Sequence, residues 1–269
     1  MSSVCRRFKR SRQGYYKSCM RKEKQTVDHA KLLTLVRPIR QMMPRLGGRK
    51  LHFMLQEGLV ENALKIGRDR FFDWLRSNDL LVHPKRRYAR TTNSSHRFWI
   101  YDNLSTGVTI DQPNRLWVSD ITYLKTSEGF CYLALITDAY SRKIVGYDVS
   151  DSLELTGCLR ALKSALSHAK DTSKLTHHSD RGFQYCSNVY TKILKNRGIK
   201  ISMAAKGNCY ENALAERVNG ILKDEFNLDE VFNTKQQAIK AVRQSIDIYN
   251  QHRPHWRLNL KTPQFCHAA

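Results

Sequence analysis

Apolar residues recur at helical spacing early in the chain and at strand spacing later. In DHAKLLTLVRPIRQMMPRLGGRKLHFMLQ, which starts at Asp28, Leu32, Leu35, Val36 and Ile39 follow the i, i+3, i+4, i+7 pattern and predict a helix. Gly47 and Gly48 interrupt it. A second helix is predicted through Leu51 and Leu55, and a third through GRDRFFDWLRSNDLLV, with Phe71, Phe72, Leu75 and Leu80 facing a core. HPKRRYARTTNSSHRF, residues 83–98, is polar, basic and without periodicity, and reads as a linker. From Arg115 the period shortens. RLWVSDITYLKT, FCYLALITDAY and KIVGYDVS are strand-like runs, separated by turn signals at Glu128-Gly129 and Ser141-Arg142. A helix through LTGCLRALKSALSHAK follows, then a strand in KLTHHS, a helix near SNVYTKILKNRG, a short strand in IKISMA and a long helix from about Tyr210. A final helix is predicted over TKQQAIKAVRQSIDIYNQ.

Three hairpin-connected strands followed by alternating helices and strands suggest a mixed sheet with helices on its faces, which is the order of a ribonuclease H-like fold. The fold class expected is therefore α/β, a ribonuclease H-like core preceded by a small all-α region. Three short helices with a glycine turn resemble a helix-turn-helix module. The boundaries expected are 1–82 for the basic helical region, 83–110 for a basic linker and 111–269 for the core with its carboxyl-terminal helix and tail.

Charge sharpens that division. Of 269 residues, 46 are Lys or Arg and 24 are Asp or Glu, a formal net charge of +22. Residues 1–110 hold 24 basic and 8 acidic side chains, a net +16, whereas residues 111–269 hold 22 and 16, a net +6. The first part is an electrostatic footprint for a polyanion. No apolar run of 18 residues is present, so nucleic acid is the better partner than a membrane. Within the linker, Lys85, Arg86, Arg87 and Arg90 suit phosphate backbone. The seven cysteines are scattered and never spaced as CxxC, as expected of reduced thiols in a cytosolic protein, and they argue against an amino-terminal zinc finger.

Three carboxylates carry the candidate chemistry. Asp120 lies inside a predicted strand among Trp117, Val118, Ile121 and Tyr123, where a charge is costly unless it is paired or bound to metal. Asp180, in HHSDRGFQY, reads either as a turn residue before Arg-Gly or as a metal ligand. If the fourth strand pairs beside the first, it meets Asp120. Glu216 follows Asp180 after 35 intervening residues, and Lys223 lies seven positions further, two turns along the same helix face. His178 reads equally as a packed strand-end histidine, and Asp138 as the cap of the second hairpin.

Asp120, Asp180, 35 residues, Glu216 and then Lys223 resemble the pattern of the DDE transposase and retroviral integrase superfamily. WVSDITYL, YLALITDAYSRKIVGY, HSDRGFQY, KGNCYENALAERVNGILKDE and YNQHRPHWRLNLKTP are similar to the integrase-like second reading frame product (OrfB type) of bacterial insertion sequences. GYYKS, PRLGGRKL, IGRDRFFDWLRSNDLLV and RTTNSSH extend the similarity to the amino end. The resemblance implies a transposase that nicks the ends of its own element and joins the 3′ hydroxyl to another phosphodiester. Asp120, Asp180 and Glu216 would be catalytic residues holding two Mg²⁺ ions, with Mn²⁺ substituting, and Lys223 would contact substrate phosphate. It also implies double-stranded DNA as partner, a multimer in the active complex, an upstream OrfA-type protein or a frameshift fusion to it, and a cytoplasmic, nucleoid-associated location.

Two departures accompany it. Glu211 stands where these proteins often carry Asp, and it offers a rival carboxylate five residues before Glu216. On a helix the two point about 140° apart, so they are not interchangeable, and Glu216 is the choice. The zinc-binding His, His, Cys, Cys set of retroviral integrases is missing from the amino end, where the basic helical region stands. The competing readings are a nuclease of the same fold that only hydrolyses, and a DNA-binding regulator without catalysis.

Overall fold

The computed structural model describes residues 7, 11–83, 98–169, 171–205 and 212–269. The chain divides into two compact units, Met1–His83 and Pro84–Ala269. Lys85, Arg86, Arg87, Arg90 and Glu211 lie outside the described residues.

The first unit is helical: α1 (Arg12–Met42), α2 (Gly48–Met54), α3 (Gln56–Glu61) and α4 (Arg68–Ser77). Its core takes Leu32, Val36 and Ile39 from α1, Leu51 from α2, Leu59 from α3, and Phe71 and Leu75 from α4, all buried. The predicted stripe is thus the buried face of α1. The helix itself begins sixteen residues before Asp28, where the Ser11 side chain accepts a hydrogen bond from the Gly14 amide at 3.0 Å. Residues 12–27 are almost entirely exposed, so no apolar period marks them. Gly47 caps α2, while Gly48 lies inside it rather than ending a helix. A Cβ on Gly48 would stand 2.9 Å from the Phe72 ring, so the close approach of α2 to α4 favours glycine there. Arg40 fastens the end of α1, donating to the carbonyls of Leu46 at 2.7 Å and Leu80 at 3.1 Å.

The second unit is built on a sheet. Its elements are β1 (Leu116–Thr126), β2 (Gly129–Asp138), β3 (Ile144–Ser150), α5 (Leu155–His168), β4 (Thr176–Ser179), α6 (Phe183–Cys186), α7 (Asn188–Asn196), β5 (Lys200–Met203), α8 (Ala213–Glu225), β6 (Val231–Phe232), α9 (Lys235–Gln251) and α10 (Pro263–Ala268). The strand order is β3-β2-β1-β4-β5, with β6 pairing β1. β1, β2 and β3 are antiparallel neighbours, and β1, β4 and β5 are parallel. This order and these directions are those of a ribonuclease H-like core, as expected. α6, β6 and α10 are additions that the sequence pattern did not predict; at four, two and six residues they are too short to show a period.

Alternation along β1 sends its side chains to two cores. Trp117 joins Ala134, Ile136, Leu162, Ala165, Tyr190 and Leu194 on one side, while Leu116 and Val118 pack with Ala139 and Ala215 of α8 on the other. α5 lies directly on β3, since a Cβ on Gly146 would stand 2.4 Å from the Ala161 carbonyl oxygen. Beyond α9, Arg253 is buried and bidentate to Glu225 at the end of α8, with Nε–Oε2 at 2.7 Å and Nη2–Oε1 at 2.6 Å. No helix of the described residues is long and apolar enough to cross a membrane.

Candidate active site

β1 is longer than its parallel neighbour. It pairs with β4 from Leu116 to Ser119 and with β6 only at Lys125 and Thr126. Among the described residues, Asp120 to Leu124 therefore have no strand on that side. Ser119 pairs with Ser179, so Asp120 and Asp180 are the first residues beyond the shared ladder. Carboxyl ends of adjacent parallel strands are where α/β sheets open a crevice for ligands.

The sheet brings the two aspartates together. Burial, and then the charge of Asp180, push the Asp120 carboxyl up to about 7; hydrogen bonds from the Asn219 side chain and the Ile121 amide pull the other way, and Glu216 adds a smaller upward push. The Asn219 bond is short, with Nδ2 donating to Asp120 Oδ2 at 2.7 Å. Asp180 Oδ1 accepts from the Gly182 amide at 3.0 Å, so this residue forms a turn and also flanks Asp120. Arg181 reaches away, its Nε donating to the Ala204 carbonyl at 2.7 Å.

Glu216 is in the first turn of α8 and exposed. It is close enough for Asp120 to feel its charge. Among the described residues, no three of His, Cys, Asp and Glu close into a group that could hold a metal ion. Asp120 and Asp180 are thus brought together, and Glu216 stands nearby without completing a closed set. On the same helix face, Lys223 places Nζ 4.4 Å from the centre of the Tyr123 ring, a cation–π contact. Asn219 lies between Glu216 and Lys223, three residues after one and four before the other. Sequence reasoning missed it, although that spacing puts all three on one face.

The remaining polar residues near the strand ends are structural. His177 Nε2 lies 2.7 Å from Ser119 Oγ and 3.0 Å from Tyr190 OH, and burial with the charge of His178 pushes it down to about 3. His178 is buried, its Nδ1 2.8 Å from Ser202 Oγ, which is the packed-histidine reading. Asp138 caps the β2–β3 turn: Oδ1 accepts from the Ser141 amide and hydroxyl at 2.7 and 2.6 Å, and Oδ2 from the Asn114 amide at 2.8 Å. Burial pushes its carboxyl up, but the nearby His267 ring, 3.8 Å away, and these bonds outweigh burial and hold it below the ordinary carboxylate range.

A divalent cation fits the aspartate pair. Two carboxylates forced together, one of them driven toward the neutral form, are relieved by a positive ion. The donors are hard oxygens, which suit Mg²⁺. Burial pushes the neighbouring thiols up, Cys158 to about 12 and Cys186 to about 11, and soft sulfur is in any case a poor match for Mg²⁺.

Two descriptions of the integrase core domain match the chain, over residues 110–209 and 197–263. The chain is 39% identical to a 31 kDa protein of insertion element IS600 from Shigella sonnei, over 97% of this chain and 96% of that one. It is 31% identical to the transposase InsF of insertion sequence IS3A from Escherichia coli K12, over 98% and 93%. Among solved structures, the magnesium-bound catalytic core of HTLV-2 integrase aligns at 21% identity with a TM-score of 0.46, over 58% of this chain and 98% of that one.

Proposed function

The chain belongs to the IS3-type family of insertion-sequence transposases, and from that premise we propose that its core cuts and joins DNA through a metal site built on Asp120, Asp180 and Glu216. The observation that carries this reading is the aspartate pair at the carboxyl ends of β1 and β4, with Asp120 pushed up to about 7 beside Asp180. Strand cutting and joining require an attacking oxygen to be activated and a leaving oxygen stabilised, and a pair of Mg²⁺ ions, with Mn²⁺ substituting, supplies both when bound. Asp120 and Asp180 hold oxygen donors at fixed strand ends. Glu216 contributes a third from α8. Lys223, two turns beyond Glu216, contacts a substrate phosphate.

The site's DNA is double-stranded: the ends of the element and the target. Basic residues 1–110, including Lys85, Arg86, Arg87 and Arg90 and the helical unit acting as a helix-turn-helix module, supply most of the grip on phosphate. Pairing two ends calls for a multimer, and an OrfA-type protein, separate or fused, would be its partner. The place of action is the cytoplasm, on the nucleoid. Labelled element ends incubated with full-length protein and target DNA in Mg²⁺ separate this reading from its rivals. Joined product is expected. Nicked ends without joined product would indicate a nuclease, and no cleavage in Mg²⁺ or Mn²⁺ a silent DNA-binding regulator.

A further inference from the structure

α8 is stitched to β1 by two asparagine amides seven residues apart. Asn212 Nδ2 donates to the Ser119 carbonyl oxygen at 3.2 Å, and Asn219 Nδ2 donates to Asp120 Oδ2 at 2.7 Å. Both side chains are buried, at 4% and 6% exposure. In both, Oδ1 is buried with no hydrogen-bond partner among the described residues. A half-satisfied amide is a poor way to fill space, because burying polar atoms without partners costs stability that an apolar side chain of the same size would not. The two amides nevertheless hold different things. Asn212 grips backbone, which strand pairing already fixes. Asn219 grips a side-chain carboxylate, on which the Ile121 amide is the other donor.

We infer that Asn219 is a positioning residue for Asp120: it holds Oδ2, so that the carboxylate has one orientation and turns its other oxygen to the ion. An amide N–H suits this task because it donates at every working pH and carries no charge to compete with a cation. It also ties the register of α8, and with it Glu216 and Lys223, to the strand that carries Asp120. The general precedent is chemical: loss of a partner that orients a ligating group typically costs ~10–100-fold in metal affinity or activity. The inference rests on the reading of Asp120 as a metal-holding residue.

The test is Mn²⁺ binding by the full chain, followed by the electron paramagnetic resonance of free Mn²⁺, beside thermal unfolding of the metal-free protein. Asn219→Leu and Asn219→Ala are expected to weaken Mn²⁺ binding about 10-fold or more, within the range of ~10–100-fold for such orienting partners. Asn212→Leu is expected to change the unfolding midpoint while leaving Mn²⁺ affinity within about twofold, as a bond to backbone should. Unchanged Mn²⁺ affinity in both Asn219 variants would overturn the inference, as would an equal loss in Asn212→Leu. Failure of both Asn219 variants to unfold cooperatively would assign the residue to stability alone, with the same consequence. Asp120→Asn separates the two levels: if it binds Mn²⁺ like the wild type, the underlying reading of the site falls; if it loses Mn²⁺ while the Asn219 variants keep it, only the positioning role falls.

Discussion

Among the described residues, the ion pairs of the amino-terminal unit lie in water, whereas in the core the informative charges are buried. Arg76 and Asp73 of the first unit meet at 2.6 Å with side chains 64% and 75% exposed, while Arg253 and Glu225 of the core meet at the same distance with 2% and 16% exposed. The charge excess follows a different rule, with +16 on residues 1–110 and +6 on the remainder. Many exposed charges of one sign act together at long range on a polyanion and are individually dispensable. A few charges forced into a sheet edge are costly, and each one matters. On the proposed reading, the first region supplies grip on DNA and the second the chemistry.

The largest effect expected from breaking this division is on activity. Asp120→Asn, Asp180→Asn and Glu216→Gln should each reduce nicking and joining by at least ~10²–10³-fold, the scale seen when one stabilising group leaves a preorganised site. Affinity for DNA, measured in parallel by gel shift, should stay near that of the wild type. Turnover close to wild type in any of the three would remove that residue from the site. Glu211→Gln is the control, with a mild effect expected.

A second comparison concerns stability. Arg253→Ala leaves Glu225 mostly buried without its bidentate partner and should cost about 3–5 kcal/mol in unfolding free energy. Arg76→Ala, with both partners in solvent, should leave the thermal midpoint almost unchanged. Equal losses from the two would erase the distinction between surface and buried pairs.

Much of this was legible in the chain, for identifiable reasons. β1, β2 and β3 are apolar and aromatic runs bounded by turns, so their pairing could be expected, and the order of the later elements allowed β4 to pair beside β1, as it does. Asp120 was conspicuous because a carboxylate interrupts a strand. Asp180 was ambiguous on its own, since its turn chemistry and its place beside Asp120 are both real. Asn219 was not legible: a polar residue on an amphipathic helix looks solvent-facing until the strand beneath it supplies a carboxylate. The exposed first half of α1 was hidden for the opposite reason, having no buried face to write a period into the sequence.

The aspartate pair also predicts a pH dependence of the metal-free protein. In the folded state the Asp120 carboxyl is raised from 3.8 to about 7, so the folded state binds the extra proton and loses stability as pH rises between those values. Asp120→Asn removes that dependence. Its unfolding midpoint should exceed that of the wild type by several degrees at pH 8, on the order of 2–4 kcal/mol, and should match it near pH 3.5. Mg²⁺ should raise the wild-type midpoint at pH 8 and leave that of the variant nearly unmoved. A difference independent of pH would contradict the electrostatic cause.

The smallest expected effect is spread over the basic region. Replacing Lys85, Arg86, Arg87 and Arg90 together by Gln in the full chain should lower the slope of log affinity for duplex DNA against log salt by about 0.9 for each phosphate that is no longer neutralised. A fragment of residues 1–110 should bind duplex DNA with a steep salt slope, and residues 111–269 weakly. Equal affinity and slope for the two fragments would shift the grip to the core, with Lys223 and the YNQHRPHWR tail.

The central claim, that the core moves a phosphoryl group through a metal held by carboxylates, is tested most directly by sulfur substitution at the phosphate to be joined. Each diastereomer of a phosphorothioate at that position is assayed with full-length protein in Mg²⁺ and in Mn²⁺. Mg²⁺ prefers hard oxygen, and Mn²⁺ tolerates sulfur better. The account predicts that one diastereomer is joined poorly in Mg²⁺ and recovers in Mn²⁺. Joining of both diastereomers at the unmodified rate in Mg²⁺, or a loss that Mn²⁺ does not restore, would contradict it.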